Sequence, residues 1–98
     1  MAQGNKEIRW TGEAWEEFLR VLQFYDERNQ SSRYSEKLER LVWNKLAQVQ
    51  LFPEIGELVV GESKRRIVID RVFYILYEIE DDVIVVYVFR DGQRDTPN

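Results

Sequence analysis

Phe73-Tyr74-Ile75-Leu76-Tyr77-Glu78-Ile79-Glu80, then Asp81-Asp82, then Val83-Ile84-Val85-Val86-Tyr87-Val88-Phe89 decides the fold of this 98-residue chain. Two apolar runs rich in β-branched and aromatic residues flank a pair of aspartates, the composition of two strands joined by a tight turn. A two-residue turn at Asp81-Asp82 pairs Glu80 with Val83. Side chains alternate across a strand, so this register opposes Ile79 to Ile84, Tyr77 to Val86 and Ile75 to Val88. That face is wholly apolar and requires a cover. The reverse face carries Tyr74, Leu76, Glu78, Val85, Tyr87 and Phe89, a mixture rich in aromatics of the kind found at binding surfaces.

Working upstream, Lys64-Arg65-Arg66-Ile67-Val68-Ile69-Asp70 reads as a preceding strand. A turn at Asp70-Arg71-Val72 pairs Ile69 with Phe73 and Ile67 with Ile75, which puts Arg66 and Val68 on the reverse face. Leu58 to Ser63 is an extended connection, and Phe52-Pro53-Glu54-Ile55-Gly56 interrupts the helix before it. That helix is marked by Tyr34, Leu38, Leu41, Val42, Lys45, Leu46 and Val49, with Ser31 or Ser32 as its cap. An earlier helix carries Ala14, Trp15, Phe18, Leu19, Leu22 and Tyr25 at helical spacing, with Thr11 as N-cap and Glu13, Glu16 and Glu17 near its positive end. It ends near Arg28-Asn29. Lys6 to Trp10 alternates as a short edge strand, and Met1 to Asn5 reads as a frayed start. The expected architecture is α+β, a single domain over residues 1–98. An N-terminal helical hairpin packs on one face of a three- to four-stranded antiparallel sheet, with the N-terminal strand at one edge.

Composition narrows the chemistry. Apolar residues make up 44 %, enough for one compact core, and no apolar run is long enough to suggest a membrane span. Cysteine and histidine are both absent. Thiolate chemistry is therefore excluded, as are the commonest general base and the commonest zinc ligand. The formal net charge is −4. Proteins that grip free nucleic acid through its phosphates carry the opposite balance, so direct nucleic-acid binding is not expected. Neither cofactor nor metal is expected, and a reducing cytoplasm fits the lack of cysteine.

The ordered set of segments is similar to the RelE/ParE toxin superfamily. The resemblance is carried by Trp10 with Ala14, Phe18, Leu22 and Tyr25; by Leu51-Phe52-Pro53-Glu54-Ile55-Gly56; by Arg66-Ile67-Val68-Ile69; by Tyr74 through Phe89; and by the closing Arg94-Asp95-Thr96-Pro97. It implies the toxin of a bacterial type II toxin–antitoxin module, of the plasmid-stabilising kind, held inactive by a cognate antitoxin. RelE-like members cleave mRNA on the ribosome, whereas ParE-like members inhibit DNA gyrase without cutting. This chain departs from the RelE-like pattern. It is acidic, lacks histidine, has no tyrosine after Tyr87, and carries two additional residues between Phe89 and Arg94. The ParE-like reading is favoured. The alternatives are a ribosome-dependent endoribonuclease and a non-toxic interaction domain.

Partner binding is assigned to Arg66, Tyr74, Leu76, Tyr87, Phe89, Arg90 and Arg94; in the nuclease alternative Arg66, Arg90 and Arg94 stabilise the phosphorane-like charge. Plainer readings stand beside these. Lys64 and Arg65 are solubilising charges at a strand entrance. Arg90 and Arg94 suit a solvated tail, and Tyr74, Tyr87 and Phe89 suit a second packing layer. Glu78, Glu80, Asp81 and Asp82 are better explained by a turn and a wet strand face than by a metal site. Trp15 and Trp43 are read as core or hairpin packing rather than as a ligand cage.

Overall fold

The computed structural model describes residues 6–93. Met1 to Asn5 and the closing Arg94-Asp95-Thr96-Pro97 lie outside them. Strand β1 (Glu7–Trp10) leads into helices α1 (Gly12–Asn29) and α2 (Arg33–Leu51). A 3₁₀ turn (Pro53–Ile55) and a two-residue strand β2 (Glu57–Leu58) follow, then β3 (Arg65–Ile69), β4 (Phe73–Glu80) and β5 (Val83–Asp91). The five strands form one sheet in the order β1-β5-β4-β3-β2, with β1 at an edge.

Two features differ from the expected sheet. Glu57-Leu58 pairs antiparallel with Arg66-Arg65 and makes a fifth strand out of what reads as a connection. In addition, β1 runs parallel to β5, with Ile8 beside Ile84 and Trp10 beside Val86. The sheet is therefore mixed rather than antiparallel. A tight turn forces antiparallel pairing on its two strands. No turn links β1 to β5, because the helical hairpin and β2–β4 lie between them, so local sequence does not set their relative direction.

Local chemistry explains the helix boundaries. Thr11 is extended, and its hydroxyl accepts a 3.1 Å hydrogen bond from the Ala14 N–H, capping α1. Gln30 closes α1 in the left-handed region, at φ 53°. Ser32 precedes α2 without capping its backbone; its hydroxyl instead donates to Glu36, while Ser31 accepts from the Arg33 N–H. Ser35 is buried and donates to Asp26, which ties α2 back to α1.

The helical hairpin covers one sheet face. Ala14, Phe18 and Val21 of α1, and Leu38, Val42, Leu46 and Val49 of α2, are buried against Ile67, Ile69, Phe73, Ile75, Tyr77, Ile84 and Val86. The α1 stripe is rotated from its expected position. Val21 is in the core, whereas Trp15 and Leu19 stand at the surface. Lys45 sits half-buried at the edge of the α2 stripe.

The pairing of β4 with β5 holds as read from Glu80–Val83 through Ile79–Ile84 to Tyr77–Val86, then shifts. A bulge inserts Tyr87, so Leu76 faces Val88 and Ile75 faces Phe89. The expected Ile75–Val88 pair is thereby replaced. Phe89, expected on the reverse face, is 1 % exposed and lies beneath the helices. Core packing accounts for the shift. The Phe89 ring meets Phe18 at 5.0 Å and stacks on Phe73 at 6.0 Å between centroids. The same shift turns Asp91 inward, where the Tyr25 hydroxyl donates to its carboxylate at 2.7 Å.

Candidate functional site

The reverse face of the sheet is built from alternate residues of β3, β4 and β5. Pairing places Arg66 beside Leu76 and Val88 in one row, and Val68 beside Tyr74 and Arg90 in the next. Toward the Asp81-Asp82 turn, Glu78 pairs with Val85, which lies beside Arg9 of β1. Both helices pack against the opposite face. Val68 is 50 % exposed, and Tyr74, Leu76, Val85, Tyr87 and Val88 are half-buried.

Charged groups surround this apolar and aromatic strip. The Arg66 guanidinium lies 6.0 Å from the Tyr74 ring centroid and also approaches Glu57 at 3.6 Å. The Lys64 ammonium stands 4.7 Å from the Tyr87 centroid, a cation–π geometry that spans β4. The Tyr87 hydroxyl donates to Glu80 at 2.8 Å. That hydrogen bond to a carboxylate keeps the proton on the phenol and raises its pKa above the ordinary value. Ser63 donates to Glu78, so Glu78 and Glu80 already have partners within the chain.

The structure thus gathers Arg66, Tyr74, Leu76, Tyr87 and Arg90 on one face. Phe89 belongs to the core, and Val88 occupies the surface position the bulge vacates. Arg94 lies outside the described residues. Arg66 and Arg90 flank Tyr74 but stand on β3 and β5, with β4 between them. Arg90 also borders a polar cleft of about 290 Å³ between α1 and β5, with Glu13, Glu17 and Arg20 on its walls. Among the described residues, no three Asp or Glu side chains gather in a geometry that would hold a metal ion. No helix among them is long and apolar enough to cross a membrane.

Two surface features escaped the sequence reading. The first is aromatic. Trp15 and Trp43 pack on Trp10 at 5.3 and 5.9 Å and on Phe18 at 5.8 and 6.0 Å, as hairpin packing requires, yet remain 38 % and 40 % exposed. The second is the connector after α2, where Leu51, Phe52 and Ile55 face outward. Its signal was present in the sequence: large apolar residues persist through a stretch punctuated by Pro53 and Gly56.

No protein-family model matches the sequence, and no curated protein matches it. Among solved structures, a chain of one described as "Chromosomal ParDE TA system from P. aeruginosa" is similar, with a TM-score of 0.73. The match covers 88 % of this chain and 95 % of that one at 12 % sequence identity. Identity this low speaks to architecture alone. Two helices on one face of a mostly antiparallel sheet, with the N-terminal strand at its edge, make up the fold that this chain shares with that chain of a ParDE system.

Proposed function

We propose that this chain, as one domain over residues 1–98, is the ParE-like toxin of a bacterial type II toxin–antitoxin module. It acts in the cytoplasm by binding an essential protein, with DNA gyrase as the first candidate. A cognate antitoxin neutralises it by covering an overlapping surface. The observation that carries this reading is the fold likeness to a chain of a ParDE system over nearly the full length of both chains. The uncovered sheet face supports a mechanism of occlusion. Arg66, Tyr74, Leu76, Tyr87 and Arg90 supply the aromatic and arginine anchors on which protein interfaces concentrate their energy. A stable pair buries about 1,600 Å² in total, more than this strip alone offers, so the partner extends beyond it.

Electrostatics favour protein binding over ribosome-dependent cleavage. The net charge is −4, and the two described arginines assigned to a nuclease site stand two strands apart. The test uses purified protein in two assays: gyrase supercoiling, and mRNA cleavage on programmed ribosomes. Inhibited supercoiling with intact mRNA is expected. Codon-specific cuts that disappear in Arg66→Ala would establish the nuclease instead. Inactivity in both assays, with normal growth during induced soluble expression, would leave the non-toxic interaction domain.

A further inference from the structure

Strand β1 leaves one side of its backbone open. The Glu7 N–H donates to the Asp82 carbonyl and the Thr11 N–H to the Val86 carbonyl, each at 3.0 Å. Bonding groups alternate along a strand, so the N–H and C=O of Ile8 and Trp10 point away from β5. β1 is the edge of the sheet, and no strand among the described residues lies beyond it. Such an edge is a template for another strand, and proteins commonly blunt it with lysines, proline or a bulge. β1 instead carries Glu7 and Arg9, opposite in sign and equidistant from Ile8.

Helix α2 follows the same edge in the opposite direction. The Gln50 side chain donates to the Lys6 carbonyl at 2.7 Å, and the Trp43 ring packs on Trp10 at 5.9 Å. In a chain that is 33 % charged, residues 41–53 hold one charged side chain, the half-buried Lys45. Such depletion of charge marks the centre of a protein interface rather than ordinary surface. Trp43, Ala47 and Leu51 follow at four-residue spacing, which puts them in one stripe along the helix, and all three are exposed. From Trp43 to Leu51 the helix rises about 12 Å, and from Lys6 to Trp10 the strand spans about 13 Å. The midpoints of the two runs, Ala47 and Ile8, therefore lie level.

One two-fold axis, perpendicular to the sheet and beside Ile8, satisfies strand and helix together. Antiparallel pairing centred on Ile8 closes backbone hydrogen bonds between the two Ile8 residues. It sets Trp10 against Lys6 of the second copy, whose carbonyl keeps a lone pair beside the one that Gln50 occupies. Glu7 then opposes Arg9 of the second copy, so the exposed Glu7–Arg9 pair within each chain, 3.0 Å apart, joins a cluster of four alternating charges. A register that opposes Glu7 to Glu7 brings like charges together. The same axis sets α2 against its own copy with Ala47 at the crossing, small enough for close approach, and Trp43 beside Leu51. A foreign strand would fill the edge and leave this stripe bare. We infer that the protein self-associates as a two-fold dimer through β1 and the C-terminal half of α2, joining its five strands to the five of a second copy. The inference does not depend on the toxin reading, because the reverse sheet face around Tyr74 takes no part in it.

The test is sedimentation equilibrium of the full chain and of variants confirmed folded by circular dichroism. The parent is expected to dimerise within the micromolar range. Ala47→Glu, a change at an exposed position, should weaken the dimer at least tenfold. Glu7→Arg and Arg9→Glu should each do the same, because each sets like charges against one another across the axis. Mixed in equal amounts, these two variants should recover association as a heterodimer, since every arginine then opposes a glutamate. Tyr74→Ala should dimerise as the parent does. A parent that stays monomeric throughout the micromolar range, a dimer indifferent to Ala47→Glu, or charge variants that remain apart when mixed would each overturn it.

Discussion

The rings of Phe18 on α1 and Phe89 on β5 meet with centroids 5.0 Å apart and planes inclined by 61°. This contact joins the helical hairpin to the C-terminal strand beyond the bulge and fixes which of its side chains face the core. Both residues are at most 1 % exposed. Truncating a buried phenylalanine removes its transfer free energy and leaves a cavity, at a cost of about 3–5 kcal/mol. Phe89→Ala should therefore lower the urea midpoint steeply. Val88→Ala, on the reverse face, should move it far less. Equal effects of the two would place Phe89 outside the core.

The Tyr77 hydroxyl serves both as donor to Pro53 and as acceptor for Gly56. Tyr77→Phe leaves a buried amide and a carbonyl unpaired, at about 1–3 kcal/mol for each such group. Amide exchange should accelerate most across residues 54–58, while the Leu38 and Val42 amides of α2 change only as far as global stability does. Gly56→Ala should do comparable damage, since an added Cβ would lie 2.7 Å from the Tyr77 hydroxyl oxygen. Unchanged exchange in the connector of Tyr77→Phe would contradict this role.

Alkaline pH probes the opposite end of the sheet. Burial, reinforced by the charge of Asp70 and the hydrogen bond to it, pushes the Tyr34 phenol from 10.0 up to about 12. Between these values the folded chain holds a proton that the unfolded chain has lost. This contribution is complete below pH 10 and declines as pH rises toward 12. The fall in unfolding free energy between pH 9 and pH 11 should be smaller in Tyr34→Phe than in the parent. Parallel pH profiles would show that Tyr34 titrates as an ordinary exposed phenol.

Much of this fold is legible in the sequence, because alternation and turn chemistry are local. Asp70-Arg71-Val72 sets the β3–β4 register and Asp81-Asp82 the β4–β5 register as far as the bulge, and Thr11 announces α1. The bulge at Tyr87 is not legible. From Val83 to Phe89 every residue is apolar or aromatic, so no polar residue reveals a slip in the alternation. It is settled by Phe18 and Phe73, distant in sequence, which draw Phe89 inward. The same limit applies to β1, whose direction depends on β5 across the whole chain. At the candidate site, Arg66, Tyr74 and Leu76 lie before the bulge in the pairing with β3 and fall where alternation puts them. Phe89 lies after it and does not. The connector was passed over because Pro53 and Gly56 signal a loop, and a loop is ordinarily read as a spacer.

The reverse face can be altered without touching the core. Tyr74→Ala and Leu76→Glu change side chains on the side away from the helices, and Arg66→Ala removes a guanidinium half exposed to solvent. Each should shift the melting temperature only modestly and weaken antitoxin binding tenfold or more, about 1.4 kcal/mol, when measured by calorimetry on the co-expressed pair. Full affinity in all three would move the interface elsewhere on the molecule.

The most direct measurement compares bacterial growth after induction of the parent with growth after induction of a Tyr74→Ala/Leu76→Glu variant, at matched soluble levels and confirmed folding. The account predicts arrest by the parent, rescue by the antitoxin and near-normal growth with the variant. Equal arrest by both proteins, or normal growth under the parent, would contradict it.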